Sequence, residues 1–296
     1  MQRFDRFVLS QFNDPRTVPA GEVRDGEIFE VQTELASGDW LHSVDDSWDP
    51  SKTSANNPCV TLSVAGALPG DVLAVTIRDI VTQGFGYMAI GAEDAVFPEV
   101  TRRIFGEVFS NTVVIDDGYI QVSERIRVPV APLIGTLGTT QDGEPSSHVR
   151  GGRYGGNMDV QEVGVGATLR LPVFVAGALL NIGDVHARQS DAELSAVETR
   201  ATVRLEVAIE RPPAPLPWPT VETDDFIGAI ALDDDLKRAS AEAFSALHGV
   251  LVDRFGLDPA EAYLLLGAAG EARCTRLLEP GNHPYIWKVA KRLLPR

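Results

Sequence analysis

The chain has 296 residues, 44% hydrophobic and 23% charged, with 42 acidic against 26 basic residues and a net charge of −16. That composition is ample for the core of one large β-rich domain or two smaller ones, and the acidic excess argues against nucleic acid or an anionic membrane surface as partner. Cys59 and Cys274 are the two cysteines; they stand far apart in no metal-type spacing, which argues against a disulfide framework and fits a reducing, cytoplasmic compartment. The charged start "MQRFDRFVLSQFNDPR" has no apolar run of signal-peptide type, and no stretch reaches the roughly 18 to 20 apolar residues of a membrane helix.

In chain order, residues 1–211 read as short strands: "EIFEVQTEL", "VTLSVAGALPGDVLAVTIRDI", "NTVVIDDGYIQVS", "ATLRLPVFV" and "ETRATVRLEVAIE". Turn-forming stretches such as "LPGD", "DDGY", "QDGEP" and "GGRYGGN" punctuate them, a spacing that predicts an antiparallel β-sandwich core. Alternation is clearest from Val197 to Ile209, where the odd positions are almost all apolar and the even ones mostly polar. Carried backwards without a bulge, the odd parity turns Glu193 towards the core, where a carboxylate must be paired, ligated or hydrogen-bonded.

"RPPAPLPWP" (211–219) is a Pro-rich connector. Residues 212–296 are then expected to form a helical portion docked on the core. Leu236, Ala239, Ala243, Leu247, Leu251 and Phe255 recur at helical spacing. Gly256 sits at the C′ position, and Asp258, Pro259 and Glu261 form a capping-box start for a second helix. The basic stretch "YIWKVAKRLL" is predicted as a last helix, and its meeting an acidic face of another copy predicts a homo-oligomer. The fold class expected is mainly β, a sandwich with a C-terminal α-helical portion.

Two stretches could carry chemistry. In "NIGDVHARQSDAELSAVETR" (181–200), Asp184 and His186 are two apart, as are Asp191 and Glu193, so on extended segments each pair leaves one face. Imidazole nitrogen with carboxylate oxygens suits Zn²⁺ or a related divalent ion; a salt-bridged acidic turn is the other reading. In "RGGRYGGNMDV" (150–160), Asn157 and Asp159 are again two apart beside paired glycines, and a glycine-rich loop with an Asx turn is the other reading. There is no phosphate loop, dinucleotide fingerprint or nucleophile elbow. His42 and His148 lie in polar loops from which they could join a site, whereas His248, His283 and both cysteines read as structural.

Five stretches in order, "GALPGDVL", "GGNMDV", "GATLRLPVFVAGALLNIGDVHARQSDAE", "PWPTVET" and "DPAEAYLLLGAAGEAR", resemble the acetamidase/formamidase family of amide hydrolases. The resemblance implies a β-sandwich core and metal-dependent hydrolysis of short aliphatic amides to a carboxylate and ammonia. By position it implies Asn157, Asp159, Asp184 and His186 as metal-site residues, with Glu193, and next Asp191, as catalytic groups. A zinc-type ion, Glu193 as proton carrier, and small walls from "FVAGALL" complete that picture. Arg200 and His42 are candidate substrate contacts; with Arg188, Arg200 would suit a carboxylate-bearing amide. Three departures stand out. Ser190 and Ala192 replace two glycines of the family pattern, Arg200 stands where a glutamate is usual with Glu198 nearby, and the early Thr-Gly-Pro is lacking. They keep open a related hydrolase of another C–N bond, or a binding protein on a decayed scaffold.

Overall fold

The computed structural model describes residues 1–53, 56–278 and 281–295. Two large sheets face each other. A nine-stranded sheet runs in the order Gln2–Phe4, Ile28–Gln32, Ala201–Glu210, Val72–Thr82, Thr168–Pro172, Thr220–Glu222, Phe226–Asp233, His283–Ala290, Glu271–Cys274. An eleven-stranded sheet is built around Phe85–Gly91, Val197–Glu198, Leu180–Arg188, Leu133–Gly138 and Gly155–Asn157. Val75, Ile77, Val203 and Leu205 from the first sheet and Leu62, Leu137 and Ile182 from the second share one apolar core. Burying such side chains is the main stabilisation of the fold, at roughly 25 cal/mol per Å² of apolar surface.

The Ala201–Glu210 strand shows why alternation positions a sheet. Val203, Leu205 and Val207 are fully buried while Arg204 is exposed, and the strand lies between Ile28–Gln32 and Val72–Thr82. The alternation does not continue backwards as one strand, however. Val197–Glu198 pairs in the other sheet, with Glu198 opposite His186 and Tyr87. Thr199 and Arg200 carry the chain across from one sheet to the other, and this crossing brings Glu198 to the same end of the sandwich as His186.

After residue 211 the chain adds four strands, Thr220–Glu222, Phe226–Asp233, Glu271–Cys274 and His283–Ala290, to the nine-stranded sheet. The helix Leu236–Phe255 packs on it through Ala239, Ala243, Leu247 and Leu251. Asp235 caps its first turn and Gly256 closes it in the left-handed conformation. The helix Pro259–Ala269 starts with the expected capping box at Asp258 and Glu261. "YIWKVAKRLL" corrects the sequence reading: it is the strand His283–Ala290 followed by a short 3-10 turn, Lys291–Leu293. Tyr, Ile, Trp and Val favour a pleated surface, and pairing with a strand on each side overrides the helical spacing. The premise of a basic terminal helix for self-association goes with it.

Candidate metal centre

The site is laid on three strands of the eleven-stranded sheet, and glycines make room for it. Leu133–Gly138 pairs with Leu180–Arg188, but Gly135 and Asp184 are skipped in the register and Asp184 has a φ of 53°. Asp184 and His186, two apart on the same strand, direct their side chains to one side and meet there. A Cβ on Gly135 would lie 2.4 Å from Asp159 Oδ1 and 2.8 Å from Asp184 Oδ2, so no other residue fits beneath the carboxylates. The "GGRYGGN" stretch is a tight hairpin, Gly151–Gly152 against Gly155–Asn157, which delivers Asn157 and Asp159.

His186 is the centre. Gln189 Nε2 donates to the carbonyls of Asp159 and Thr275, at 3.2 and 3.1 Å, so its Oε1 is the acceptor 2.6 Å from His186 Nδ1. That network assigns the proton to Nδ1 and leaves Nε2 facing Asp184 Oδ1 at 3.0 Å. Two lone-pair atoms at that distance require a positive charge between them, either a second proton or a cation. His186 is also shared by two groups whose ligand atoms lie within 4.8 Å of one another: Asp159, His186, Glu193 and Asp184, His186, Glu198. Asp159 Oδ1 and Glu193 Oε2 are buried without a hydrogen-bond partner. Orphaned oxygens around an oriented imidazole fit a divalent ion.

The other oxygens are accounted for. Arg276 donates to Asp159 Oδ2 at 3.1 Å. Asp184 Oδ2 accepts from Asn57 at 3.0 Å and from Thr136 at 3.3 Å. Asn157 donates to Val149 O and accepts from Thr136, and Tyr87 O–H donates to Glu198. Four carboxylates thus share the centre with one guanidinium and one imidazole, so negative charge is in excess even with His186 protonated. Burial, then the charge of Asp159, raises the Glu193 carboxyl well above its usual range. Burial also raises Asp159, against the pull of Arg276, and with Asp184 holds Glu198 at about 7. Burial alone would lower His186, but the charge and hydrogen bond of Asp184 carry it well above an ordinary imidazole.

These groups open on a cavity of about 510 Å³, also walled by Ala36, Ser37, Trp48, Ala89, Ile90 and Leu278. Asn157, Asp159, Asp184 and Glu193 line it, with His186 fully buried behind them. Glu193 reaches it differently from the strand extrapolation, from a 3-10 turn, Asp191–Glu193, in which Ala192 and Glu193 have φ of 67° and 51°. Asp191 leaves that turn on the opposite side, where it is exposed and ion-paired to Arg273 at 2.9 Å. His42 is exposed and Arg200 buried, and both line a separate groove with Arg6 and Thr33. Arg188 donates to Pro129 O. The "FVAGALL" turn lies outside the cavity lining, so it does not wall the site.

Sequence reasoning missed Asn57, Tyr87 and Arg276, which come from distant loops and strands with no local pattern to mark them. Glu198 carried a signal, the acid standing close to where a family glutamate is expected.

A model of the acetamidase/formamidase family matches residues 142–214, the stretch holding Asn157, Asp159, Asp184, His186, Glu193 and Glu198. An acetamidase of Mycolicibacterium smegmatis is 28% identical over 201 residues, covering 47% of this chain and 50% of that protein, so the match spans about half the length of that relative. A predicted acetamidase/formamidase of Thermoanaerobacter tengcongensis superposes with a TM-score of 0.90 at 27% identity, over 99% of this chain and 96% of its own. The acetamidase of Bacillus halodurans gives a TM-score of 0.89 at 28% identity, over 98% and 97% of the two chains. On fold, matched segment and site sequence together, the chain is similar to the acetamidase/formamidase family.

Proposed function

We propose that this protein is a metal-dependent amidase that hydrolyses short aliphatic amides to a carboxylate and ammonia. The observation that carries the reading is the face-to-face placement of His186 Nε2 and Asp184 Oδ1, 3.0 Å apart, beside the partnerless oxygens of Asp159 and Glu193. His186, Asp184 and Asp159 would hold the ion, for which one imidazole and hard carboxylates suit zinc, with Asn157 at the rim of the set. Bound there, it supplies Lewis acidity towards the amide carbonyl and a water molecule.

The chain's own groups do the rest. Gln189 fixes the His186 tautomer, and Arg276 holds Asp159 in place. Glu193, buried and held above the normal carboxylate range, takes a proton from the attacking water and passes it to the leaving nitrogen. The excess of carboxylates favours neutral amides over acidic ones. No helix among the described residues is long and apolar enough to cross a membrane. Two free thiols, Cys59 and Cys274, fit a cytoplasmic location. Self-association stays part of the proposal, checked by sedimentation.

Ammonia release from acetamide and formamide, measured before and after exhaustive chelation with metal content followed by mass spectrometry, tests this. Activity should fall to background with the ion and return with zinc. Glu193→Gln should keep the ion and lose about 10²- to 10⁴-fold in kcat. Full activity in metal-free protein refutes the reading.

A further inference from the structure

Arg200 stands where the family pattern has a glutamate, and its surroundings show what the exchange does. The guanidinium is buried where the chain crosses between the sheets, and it binds one turn from three sides. Nε donates to Glu34, Nη1 to the carbonyl of Leu41, and Nη2 to Asp39 Oδ1 at 2.6 Å. Glu34 is almost fully buried and takes a second cation, Arg6, so the charge of Arg200 is absorbed by the turn and not by the His186 centre.

Ser37 lies in the middle of the clamped segment. Its Oγ accepts from Trp40 Nε1 at 2.8 Å and meets Tyr87 Oη at 2.6 Å. Tyr87 O–H is committed to Glu198, so Ser37 is the donor to Tyr87, and the chain of hydrogen bonds runs in one direction, Ser37 to Tyr87 to Glu198. Trp40 packs edge-on against the Tyr87 ring with centroids 4.8 Å apart. Ser37, Tyr87 and Glu198 all line the 510 Å³ cavity, whereas Arg200 does not reach it.

We propose that Arg200 is a positioning residue, clamping the 34–41 turn so that Ser37 stays on Tyr87 and Tyr87 keeps the Glu198 carboxylate turned to the metal centre. The claim rests on the amidase reading for its kinetic consequences. It replaces direct contact between Arg200 and substrate with action through three side chains. Lysine keeps the charge but has no planar fork to reach Glu34, Asp39 and Leu41 together.

Arg200→Lys and Ser37→Ala would be made singly and combined, with kcat and KM measured on acetamide and on an acidic amide. Amide hydrogen exchange of residues 35–41 would be followed in the same proteins. Each single variant should keep its metal and lose about 10- to 100-fold in kcat, with KM moved by less than about threefold. The double variant should be no worse than the worse single, and exchange in 35–41 should quicken in Arg200→Lys. Three results overturn the proposal: unchanged kcat in a variant whose turn exchanges faster, losses that multiply in the double variant, or a KM increase confined to the acidic amide. If the wild type turns over no amide, it is the amidase reading that fails. Exchange then decides the clamp by itself, faster exchange supporting it and unchanged exchange overturning it.

Discussion

Glu222 and Glu193 are both carboxylates held below the surface, and they are treated in opposite ways. Glu222 accepts from Arg170 at 2.9 Å and from Arg254, and pairs with Lys291 at 2.9 Å. Burial pushes it up, but the hydrogen bonds of Arg254 and Lys291 outweigh that and hold it at about 2. Around Glu193 the ratio is reversed: Asp159, Asp184 and Glu198 crowd one imidazole and one guanidinium. A cluster built for stability matches each anion with a cation. The His186 centre leaves an excess of negative charge, the arrangement expected where a cation is to be bound and protons moved.

The largest way to break this comparison is at His186. His186→Ala should remove both ion retention and amide hydrolysis, read by metal analysis and ammonia release. Retention of a stoichiometric ion would place the binding elsewhere. At Glu222 the expected effect is on stability: Glu222→Gln leaves three cations facing a neutral amide and should cost about 1 to 3 kcal/mol in urea melts, its partial exposure screening the interaction. The pH dependence sharpens the point. A depressed carboxylate stabilises the fold above its unfolded value and loses that stabilisation as the proton goes on. The Glu222 contribution should therefore fade between about pH 4.5 and about pH 2, and be absent from the Glu222→Gln profile.

In metal-free protein at pH 7 the sign should be opposite at the centre. A raised carboxylate costs stability above its unfolded pKa, so Glu193→Gln should raise the melting midpoint of the metal-free protein. A lowered midpoint would mean that the acid cluster is not in charge excess. The smallest effect is expected at Ala192, whose left-handed φ of 67° is unfavourable for a residue with a Cβ. Ala192→Gly should gain less than about 1 kcal/mol, because glycine also gains entropy in the unfolded chain.

Much of this was legible where chemistry is local. Val203, Leu205 and Val207 announce a half-buried strand, Asp258 with Glu261 announces a helix start, and Asp184 with His186 announces a shared face. What was not legible depends on partners far along the chain. The last strand looked helical because nothing near Tyr285 states that Phe226–Asp233 and Glu271–Cys274 will flank it. Glu193 was expected on the buried side by strand parity and is buried through a turn, which shows that burial can be right on a mistaken local geometry. Asn57, Tyr87 and Arg276 enter only through the fold, and Arg200 reads as a site residue until Glu34 and Asp39 are seen around it.

Gly135 lies directly beneath the carboxylates with no space for a methyl group. The backbone beneath these acids is therefore closed to tailoring: any side chain at that position displaces the Asp159 and Asp184 carboxylates. A change in what the cavity admits, by evolution or by design, has to be cut into its other walls, such as Ala36, Trp48, Ala89 or Leu278.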